Sequence, residues 1–505
     1  MGVEDVDPDR RLALRGIAHG AALLANDPHM AHRVPATWIR NELRWGERFA
    51  VGVTIPGVPG LGLGSNGHLA WGFTNAVLDQ EDLWALAPSE EAELEERIER
   101  LRVRGGEDEE LVVREDARGP VVGVDPEGRP LVYEWNVLRA ERVDLDLFEM
   151  LLAEELEPAL DLLAGWWGSS FNAVVVDRAG RIGWTVTGYV PARRDGAWSG
   201  PLDEAQRPRV VDPAGGLLVS ANQRPVPEAG ALSRLWLAPD RAARIAELLE
   251  REEPFDERAL LAVQLDERSP VHVRWLPHFE EARSALELDG ERAALAARVE
   301  AWDGRAALDS VAFRLLRRFR LRAHQALLGP LLAPCAVDDP GFVYEWTLAE
   351  EAVARLLEER AAHLLSPAHP SYTALLASAL GEAFAGLEQE GGGERPWGED
   401  NRARFTHPLS LAVPALGRWL DWPEDPLPGS ATSVRASDPD WGAALRLVVS
   451  PGREAQGLLH VTGGVSGHFL SPHYADGHAD WVSGRPTPLL AGLPVHVLQL
   501  RPPAP

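Results

Sequence analysis

The sequence predicts an α+β protein in which a strand-rich core is interrupted by a run of helices. Short apolar segments bounded by Gly and Pro turns recur through residues 1–237 and return in residues 392–505. Between them, in residues 238–391, apolar side chains recur at helical spacing. A chain of 505 residues can hold more than one domain, and we predict domain boundaries where the apolar pattern changes from strand-like to helical and back.

The predicted strands are apolar runs that end at turn residues. Residues 49–86 contain several, with turns at "PGVPG" and "GSNGH", and residues 105–134 contain two more. The clearest hairpin spans residues 171–190, where "FNAVVVD" and "RIGWTVTGYV" flank the turn "RAG". Gly180 suits the positive φ of a short hairpin loop. "GGLLVSANQRP", residues 215–225, is predicted to be one further strand that runs into a polar loop.

The predicted helices begin with residues 145–167, a segment that Pro158 is expected to kink or split. The long helical run follows, with segments such as "DRAARIAELLE", "LDSVAFRLLRRFRLRAHQALL" and "SYTALLASALGEAFAGLEQE". "EGGGERPWGED" breaks this run, and short strands and loops return after it.

Composition excludes several classes of function. A net charge of −27 argues against a general nucleic-acid binder, which needs clustered cations. All 50 basic residues are arginine, so no lysine is present to form a Schiff base or a phosphate-binding loop. The single cysteine, Cys335, allows no intrachain disulfide framework and is predicted to be a buried, inert thiol.

Neither a membrane span nor an export signal is predicted. No apolar run reaches 18 residues, the length typical of a transmembrane helix. The first residues, "MGVEDVDPDRRLALRG", are acidic and lack the basic and apolar regions of a signal peptide. These features leave the cellular compartment open.

One polar cluster lies in "LGSNGHLAWGFTNAVLDQEDLW". Backbone N–H groups at the glycine-rich turns and at Asn75 could form an oxyanion hole, although ordinary hairpin turns are the favoured explanation of the glycines. Asp79, Glu81 and Asp82 could hold a hard cation through oxygen atoms, or form a solvated loop. In "VSANQRP", the Asn222 amide could donate to an oxyanion, or Asn222 could be a turn residue.

Another cluster is "GGVSGHFLSPHYADGHADW", in which Ser466 precedes His468 and His473 closely. A serine–histidine nucleophile pair and a metal site are both conceivable. However, the G-x-S-x-G frame and the helical histidine spacing of a zinc motif are missing. A loop that packs over the core is the favoured interpretation. "LLANDPHM" raises the further question of whether His29 serves a catalytic site.

Taken in order, nine segments resemble the penicillin amidase (penicillin acylase) family of N-terminal-nucleophile hydrolases. The resemblance covers nearly the whole chain, which is similar to the large β chain of that family. The segments are "LLANDPHM", "PATWIRNEL", "IPGVPGLGLGSNGHLAWGFTNAVLDQEDLW", "FNAVVVDRAGRIGWTVTGYVP", "VSANQRP", "DRAARIAELL", "VQLDERS", "RFTHPL" and "GGVSGHFLSPHYADGHADW".

The resemblance implies a fold and an activity. The fold is a four-layer αββα sandwich with a helical insertion. The activity is cleavage of a linear amide, such as a β-lactam side chain or an acyl-homoserine lactone, into a carboxylic acid and an amine. The nucleophile is the N-terminal serine of the β chain, exposed by autocatalytic processing, and its own α-amino group is the base. No cofactor is required, and a structural calcium ion is possible.

The resemblance also assigns roles to residues of this sequence. His29 is placed near the nucleophile, Asn75 supplies an oxyanion N–H from the backbone, and Asn222 supplies a side-chain donor. Arg241 corresponds to the arginine that steadies this asparagine.

The metal site implied by the resemblance is incomplete in this sequence. Asp79 and Asp82 match calcium ligands, and Glu81 matches a residue that lends a backbone oxygen. A further carboxylate is expected near Gly230, where "EAGALSRLW" offers none at the matching place, and the ligand from the α chain is also missing.

The nucleophile itself is predicted to be missing. Its position falls about twenty residues before His29, near Asp7, yet residues 1–36 contain no Ser, Thr or Cys, and Thr37 is the first. One hypothesis is that this is a truncated or mis-started β-chain portion of an amidohydrolase that works with a separate α chain. A second is a non-catalytic pseudo-enzyme with a binding or structural role, and a third makes Ser466 a substitute nucleophile. We expect the polypeptide alone to be inactive.

Overall fold

The structure is a computed structural model that describes residues 20–58, 60–135, 144–194, 197–233, 236–250, 254–338, 342 and 349–500. The position predicted for the nucleophile, near Asp7, lies outside these residues.

The strands are short and are concentrated before residue 212 and after residue 436. They are β1 Leu24–Asn26, β2 His29–Ala31, β3 Ile39–Trp45, β4 Arg48–Thr54, β5 Leu63–Ser65, β6 Leu69–Asn75, β7 Glu81–Ala85, β8 Glu95–Leu101, β9 Glu109–Glu115, β10 Val121–Val124, β11 Pro130–Trp135, β12 Phe171–Asp177, β13 Ile182–Val186, β14 Pro191–Arg194, β15 Ala197–Pro201, β16 Arg209–Val211, β17 Ser437–Asp438, β18 Trp441–Ala443, β19 Leu445–Val449 and β20 Leu458–Val461.

Most of the helices lie between the two strand-rich regions. They are α1 Pro88–Glu91, α2 Leu156–Gly165, α3 Asp240–Leu249, α4 Glu257–Gln264, α5 Pro270–Arg274, α6 Leu276–Ser284, α7 Gly290–Glu300, α8 Val311–Asp338, α9 Ala349–Glu359, α10 Tyr372–Gln389, α11 Trp397–Asp400, α12 Pro408–Ala412, α13 Gly417–Leu420 and α14 His478–Ser483.

Two antiparallel sheets pack face to face. The larger has the strand order β16-β13-β12-β6-β5-β4-β3, and the smaller has the order β1-β19-β20. Alternate side chains of a strand point to opposite faces, so Leu24 and Leu447 enter the core between the sheets, together with Val174 and Trp184 of the larger sheet. This shared apolar core holds the two sheets together.

Helices cover the outer face of each sheet. Trp71 and Val175, on the outer face of the larger sheet, pack against α2. Val448, on the outer face of the smaller sheet, packs with residues of α3 and α4. The order of layers is therefore helix, sheet, sheet, helix, as the αββα prediction requires.

The remaining helices of the central region have a core of their own. It is formed mainly by α5 to α10 and includes Trp275, Phe319 and Phe384, all buried. The apolar side chains that recur at helical spacing in the sequence form this separate cluster. The predicted domain divisions at residues 237/238 and 391/392 stay predictions. No helix in the described part of the chain is long and apolar enough to cross a membrane.

Several local predictions can be compared with the structure. The hairpin of β12 and β13 is confirmed, and Gly180 in its turn has a φ of +91°. The predicted helix at 145–167 is split into a 3-10 helix at Asp146–Leu151 and α2, with Pro158 in the first turn of α2. A proline is tolerated in a first turn because its missing N–H would have no partner in the helix there.

Two local predictions are wrong. Residues 215–225 do not form a strand; side chains of Leu217 and Val219 pack with α3 and α4, whereas Leu218 enters the core between the sheets. The Val219 carbonyl accepts a hydrogen bond from the Gln223 side chain (2.8 Å) in place of a neighbouring strand. Cys335 is exposed near the end of α8, because the last turns of this helix extend beyond the apolar cluster.

Buried histidines make stability depend on pH. Burial lowers the pKa of His32 and of His460 to about 4, from an ordinary value of 6.5. The unfolded chain therefore binds more protons below pH 6.5, and the stability that these neutral rings contribute is lost as the pH falls toward 4. We expect the free energy of unfolding to fall by about 2 kcal/mol per histidine between pH 7 and pH 5.

Urea unfolding at the two pH values measures this loss. His32 stacks on Phe405, with ring centroids 4.5 Å apart, so His32→Phe keeps an aromatic ring in place and is expected to reduce the pH dependence. The control is His473→Ala, because His473 is exposed. An equal pH dependence in wild type and His32→Phe would contradict the prediction.

Candidate functional site

The candidate site lies where the ends of three core segments meet at one cavity. Strand β1 ends at Asn26, strand β6 ends at Asn75, and α3 begins beside the turn that contains Asn222. The Asn26 side chain fixes β1 against β6, because it donates to the Phe73 carbonyl and accepts from the Phe73 N–H, both at 3.0 Å. Gly72 allows this approach, since a Cβ there would lie 2.8 Å from Asn26 Oδ1.

The cavity has a volume of about 750 Å³, and most of its lining is apolar. Its aromatic walls include Trp38, Phe73, Trp166, Phe171 and Trp441. Its polar side chains are those of Asn26, Asp27, His29, Thr74, Asn75, Ser169, Ser220, Asn222 and Arg241. An apolar pocket with a few convergent polar groups is the usual form of a small-molecule site.

Arg241 is the centre of the polar group. One guanidinium nitrogen, Nη1, lies 3.0 Å from His29 Nδ1. The other, Nη2, donates to Asn222 Oδ1 at 2.8 Å and to the Ala221 carbonyl at 3.2 Å. The planar guanidinium therefore fixes the imidazole and the amide relative to each other.

This arrangement assigns the tautomer of His29. Arginine only donates hydrogen bonds, so His29 Nδ1 must accept, and the proton is on Nε2. Nε2 lies 3.2 Å from Asp27 Oδ2, to which it donates. Burial lowers the pKa of His29, with the Asp27 carboxylate opposing this effect. His29 is thus a neutral ring with both nitrogens engaged, which makes it a link between Asp27 and Arg241.

Asn222 presents its amide N–H₂ group at the cavity. Its backbone is left-handed, with a φ of +69°, and its Oδ1 is taken by Arg241. The opposite side of the amide is therefore Nδ2, one hydrogen of which goes to the Asn75 carbonyl at 3.1 Å. The second hydrogen can be donated to a ligand atom in the cavity.

Asn75 closes the turn that faces Asn222. Its side-chain oxygen accepts a hydrogen bond from the Val77 N–H at 2.9 Å, and Val77 has a φ of +49°. The predicted role of the Asn75 backbone N–H in an oxyanion hole stays a prediction. Asn75 lines the cavity, and its backbone carbonyl accepts a hydrogen bond from the Asn222 side chain.

Two of the three acidic residues predicted as metal ligands converge, but on an arginine side chain. Asp79 Oδ1 and Asp82 Oδ2 both contact Arg193, at 2.9 Å and 3.0 Å. Glu81 is exposed at the start of β7 and is hydrogen-bonded with Tyr133. Among the residues that the structure describes, no group of three or more His, Cys, Asp or Glu side chains could hold a metal ion. With Arg193 bound to Asp79 and Asp82, this donor set does not fit a calcium ion.

Ser466 lies apart from the cavity. Its hydroxyl oxygen accepts the backbone N–H of His468 at 3.2 Å, and the His468 Nδ1 accepts the backbone N–H of Leu470. His473 is exposed and paired with Asp476 at 2.7 Å. These side chains form hydrogen bonds within their own loop, and the favoured interpretation of this segment stays a prediction.

Two contacts of the site were not anticipated. Asp27 stands two residues before His29 in "NDPH", and a carboxylate so close to a candidate histidine is a usable signal. No pattern in the sequence around Arg193, in "PARRDG", predicts its contacts, because its partners lie more than 100 residues away in sequence.

The chain is similar in sequence to one protein family and to known acylases. The family model described as penicillin amidase matches residues 15–492. A penicillin acylase 2 proenzyme from Pseudomonas sp. strain SE83 is 32% identical over 94% of this chain and 65% of that protein. The acyl-homoserine lactone acylase QuiP from Pseudomonas aeruginosa is 28% identical over 92% of this chain and 64% of that protein. The chain thus spans slightly less than two thirds of the length of these relatives.

A solved structure gives the same result for the fold. The thermostable penicillin G acylase from Alcaligenes faecalis superposes with a TM-score of 0.71, covering 97% of this chain and 99% of that chain. The sequence identity in this comparison is 20%. It confirms the predicted α+β fold.

Proposed function

Because the chain belongs to the penicillin amidase family, we propose that it forms the substrate cavity and part of the oxyanion site of an enzyme that hydrolyses a linear amide. The products are a carboxylic acid and an amine. The observation that carries this proposal is the Asn222 amide, which Arg241 holds with its N–H₂ group toward an apolar cavity.

The geometry suits the stabilisation of negative charge on a carbonyl oxygen. An acyl group in the apolar cavity places its carbonyl beside Asn222, and the free hydrogen of Nδ2 is donated to the oxygen as charge develops. Arg241 holds the amide before the reaction, so little reorganisation is needed. Removal of one such donor typically costs a factor of about 10²–10³ in rate.

His29 acts on the site through Arg241 rather than as a base. Both of its nitrogens are used within the protein, and its neutral state is the one that accepts from Arg241. In the family mechanism the base is the α-amino group of the nucleophile itself, so the mechanism does not need His29 as a base.

The lining indicates an uncharged acyl group. Arg241 is the one cationic side chain that lines the cavity in the described part of the chain, and it is already bound to three acceptors. Asp27 at the same end disfavours a second carboxylate. We therefore propose an N-acyl amide with an aromatic or aliphatic acyl group, a class that includes β-lactam side chains and acyl-homoserine lactones.

The attacking hydroxyl is proposed to come from outside this sequence. Residues 1–36, where the resemblance places the nucleophile, contain no Ser, Thr or Cys. Ser466 is not among the residues that line the cavity, and the Thr74 and Ser220 hydroxyls that do line it are hydrogen-bonded to each other. The same observation supports a second candidate, a non-catalytic protein that binds acyl compounds in the cavity.

We expect the polypeptide expressed alone to release no amine from a chromogenic phenylacetyl or long-chain acyl amide. The reason is that residues 1–36, the segment in which the resemblance places the nucleophile, contain no Ser, Thr or Cys. A penicillin acylase assayed in parallel is the positive control. Measurable turnover would contradict the prediction, and its disappearance in Ser466→Ala would identify Ser466 as the nucleophile.

The DNA upstream of Met1 separates the two candidates. An in-frame stretch that encodes an α chain and a Ser-Asn-Asn-Trp-like junction, and that yields turnover when expressed with this chain, supports the amidohydrolase. A functional promoter and ribosome-binding site at Met1 favours the binding protein.

A further inference from the structure

We propose that Arg193 is an internal cation that takes the place of a divalent metal ion between Asp79 and Asp82. The fold would then hold this acidic segment in place without calcium. The inference rests on contacts outside the cavity and does not depend on the proposed hydrolysis.

The contacts are those of a bridging cation. Arg193 Nη2 lies 2.9 Å from Asp79 Oδ1, and Nη1 lies 3.0 Å from Asp82 Oδ2. The same Nη2 is 3.5 Å from the Asp79 carbonyl, the kind of backbone oxygen that a metal ion would also use. One guanidinium thus reaches both carboxylates and the backbone between them.

The bridge is shielded from water on several sides. The three side chains are only 21%, 35% and 23% exposed, for Arg193, Asp79 and Asp82 respectively. The guanidinium carbon also lies 5.8 Å from the centre of the Trp198 ring, on the neighbouring strand β15. Such partly buried pairs are screened less by solvent than exposed ones, so the bridge contributes more than a typical surface ion pair.

Arg193 joins two parts of the chain that are distant in sequence. It lies on β14, 111 residues after Asp82. The acidic segment follows the turn at Asn75 and is also held by the Asp79 N–H, which donates to the Leu232 carbonyl at 2.9 Å. The bridge therefore anchors the segment that leads away from the cavity.

A calcium ion is disfavoured at the same place for two reasons. Calcium takes six to eight oxygen ligands at about 2.3–2.6 Å, whereas Asp79 and Asp82 already use oxygen atoms on the guanidinium. A positive group within hydrogen-bond distance of both carboxylates also repels a second cation. Glu81 adds no ligand, because it is exposed and hydrogen-bonded with Tyr133.

The first experiment is thermal unfolding of the wild-type chain in excess calcium chloride and in excess EDTA. We expect the same Tm in both, and no heat of calcium binding by isothermal titration calorimetry. A Tm that rises with calcium and falls with EDTA would overturn the proposal. This measurement needs neither a variant nor turnover, so it is independent of any failure of the proposed function.

The second experiment tests the bridge itself. Arg193→Ala leaves two neighbouring carboxylates without their cation, and we expect its Tm to fall by several degrees. Calcium is expected to recover part of this loss in the variant and to change nothing in wild type. Arg193→Lys keeps a charge but not the planar fork and should fall between the two.

The matched control is Arg129→Ala. Arg129 also contacts two acids, Asp125 and Glu127, but its side chain is 51% exposed on a surface turn. Its removal is expected to change the Tm little. Equal Tm values for Arg193→Ala and wild type would show that the bridge holds nothing and would overturn the proposal.

Discussion

Replacement of Arg241 with leucine is expected to lower the free energy of unfolding by about 3 kcal/mol. The guanidinium donates hydrogen bonds to His29 Nδ1, Asn222 Oδ1 and the Ala221 carbonyl, and leucine can donate to none of them. Each acceptor left without a donor in a largely apolar surrounding costs about 1–3 kcal/mol. Removal of a cation whose pKa burial lowers offsets part of this cost.

Urea unfolding at pH 7 measures the change. Arg241→Lys is expected to recover only part of the loss, because one ammonium group cannot span the imidazole and the amide as a planar fork does. Arg258→Leu is the control, since Arg258 is an exposed arginine on the nearby helix α4. If Arg241→Leu were as stable as Arg258→Leu, the network would have no role in holding the site.

Replacement of Gly64 with alanine is expected to destabilise the larger sheet by about 3 kcal/mol or more and to reduce the soluble yield sharply. Gly64 on β5 pairs with Gly52 on β4. A Cβ at Gly64 would lie 2.2 Å from the Val51 carbonyl oxygen and 2.9 Å from the Gly52 Cα. Both atoms are backbone, so the strands themselves would have to separate.

A matched glycine gives the control. Gly123 lies in strand β10, and a Cβ there would meet no atom within 4 Å. Gly123→Ala should therefore leave the yield and the urea midpoint close to wild type. A Gly64→Ala variant that unfolds at the wild-type midpoint would show that β4 and β5 can move apart freely.

The sequence predicts much of the fold because the strands and helices carry local signals. The hairpin at residues 171–190 has apolar strands and a glycine at the turn, and each signal agrees with the structure. The segment at 215–225 has similar apolar residues but no strand partner. Its side chains alternate between two cores, and sequence alone does not distinguish this from a strand in a sheet.

The candidate site was predictable only where residues stand in recognisable segments. His29, Asn75, Asn222 and Arg241 were each predicted separately, and the structure joins them in one hydrogen-bonded group. Asp79 and Asp82 were predicted as metal ligands, but both form ion pairs with Arg193. A pairing between such distant segments depends on tertiary structure and leaves no local pattern.

The left-handed backbone of Asn222 narrows what this position can become. Among residues other than glycine, asparagine and aspartate enter this region most readily. Glycine would keep the backbone conformation but lose the amide, and aspartate would keep the shape but replace the donor with an acceptor, which the proposed oxyanion role does not allow. Serine or glutamine would supply a hydrogen-bond donor but enter the left-handed backbone conformation less readily. Asparagine satisfies both demands, so we expect relatives that keep the proposed activity to keep asparagine at this position.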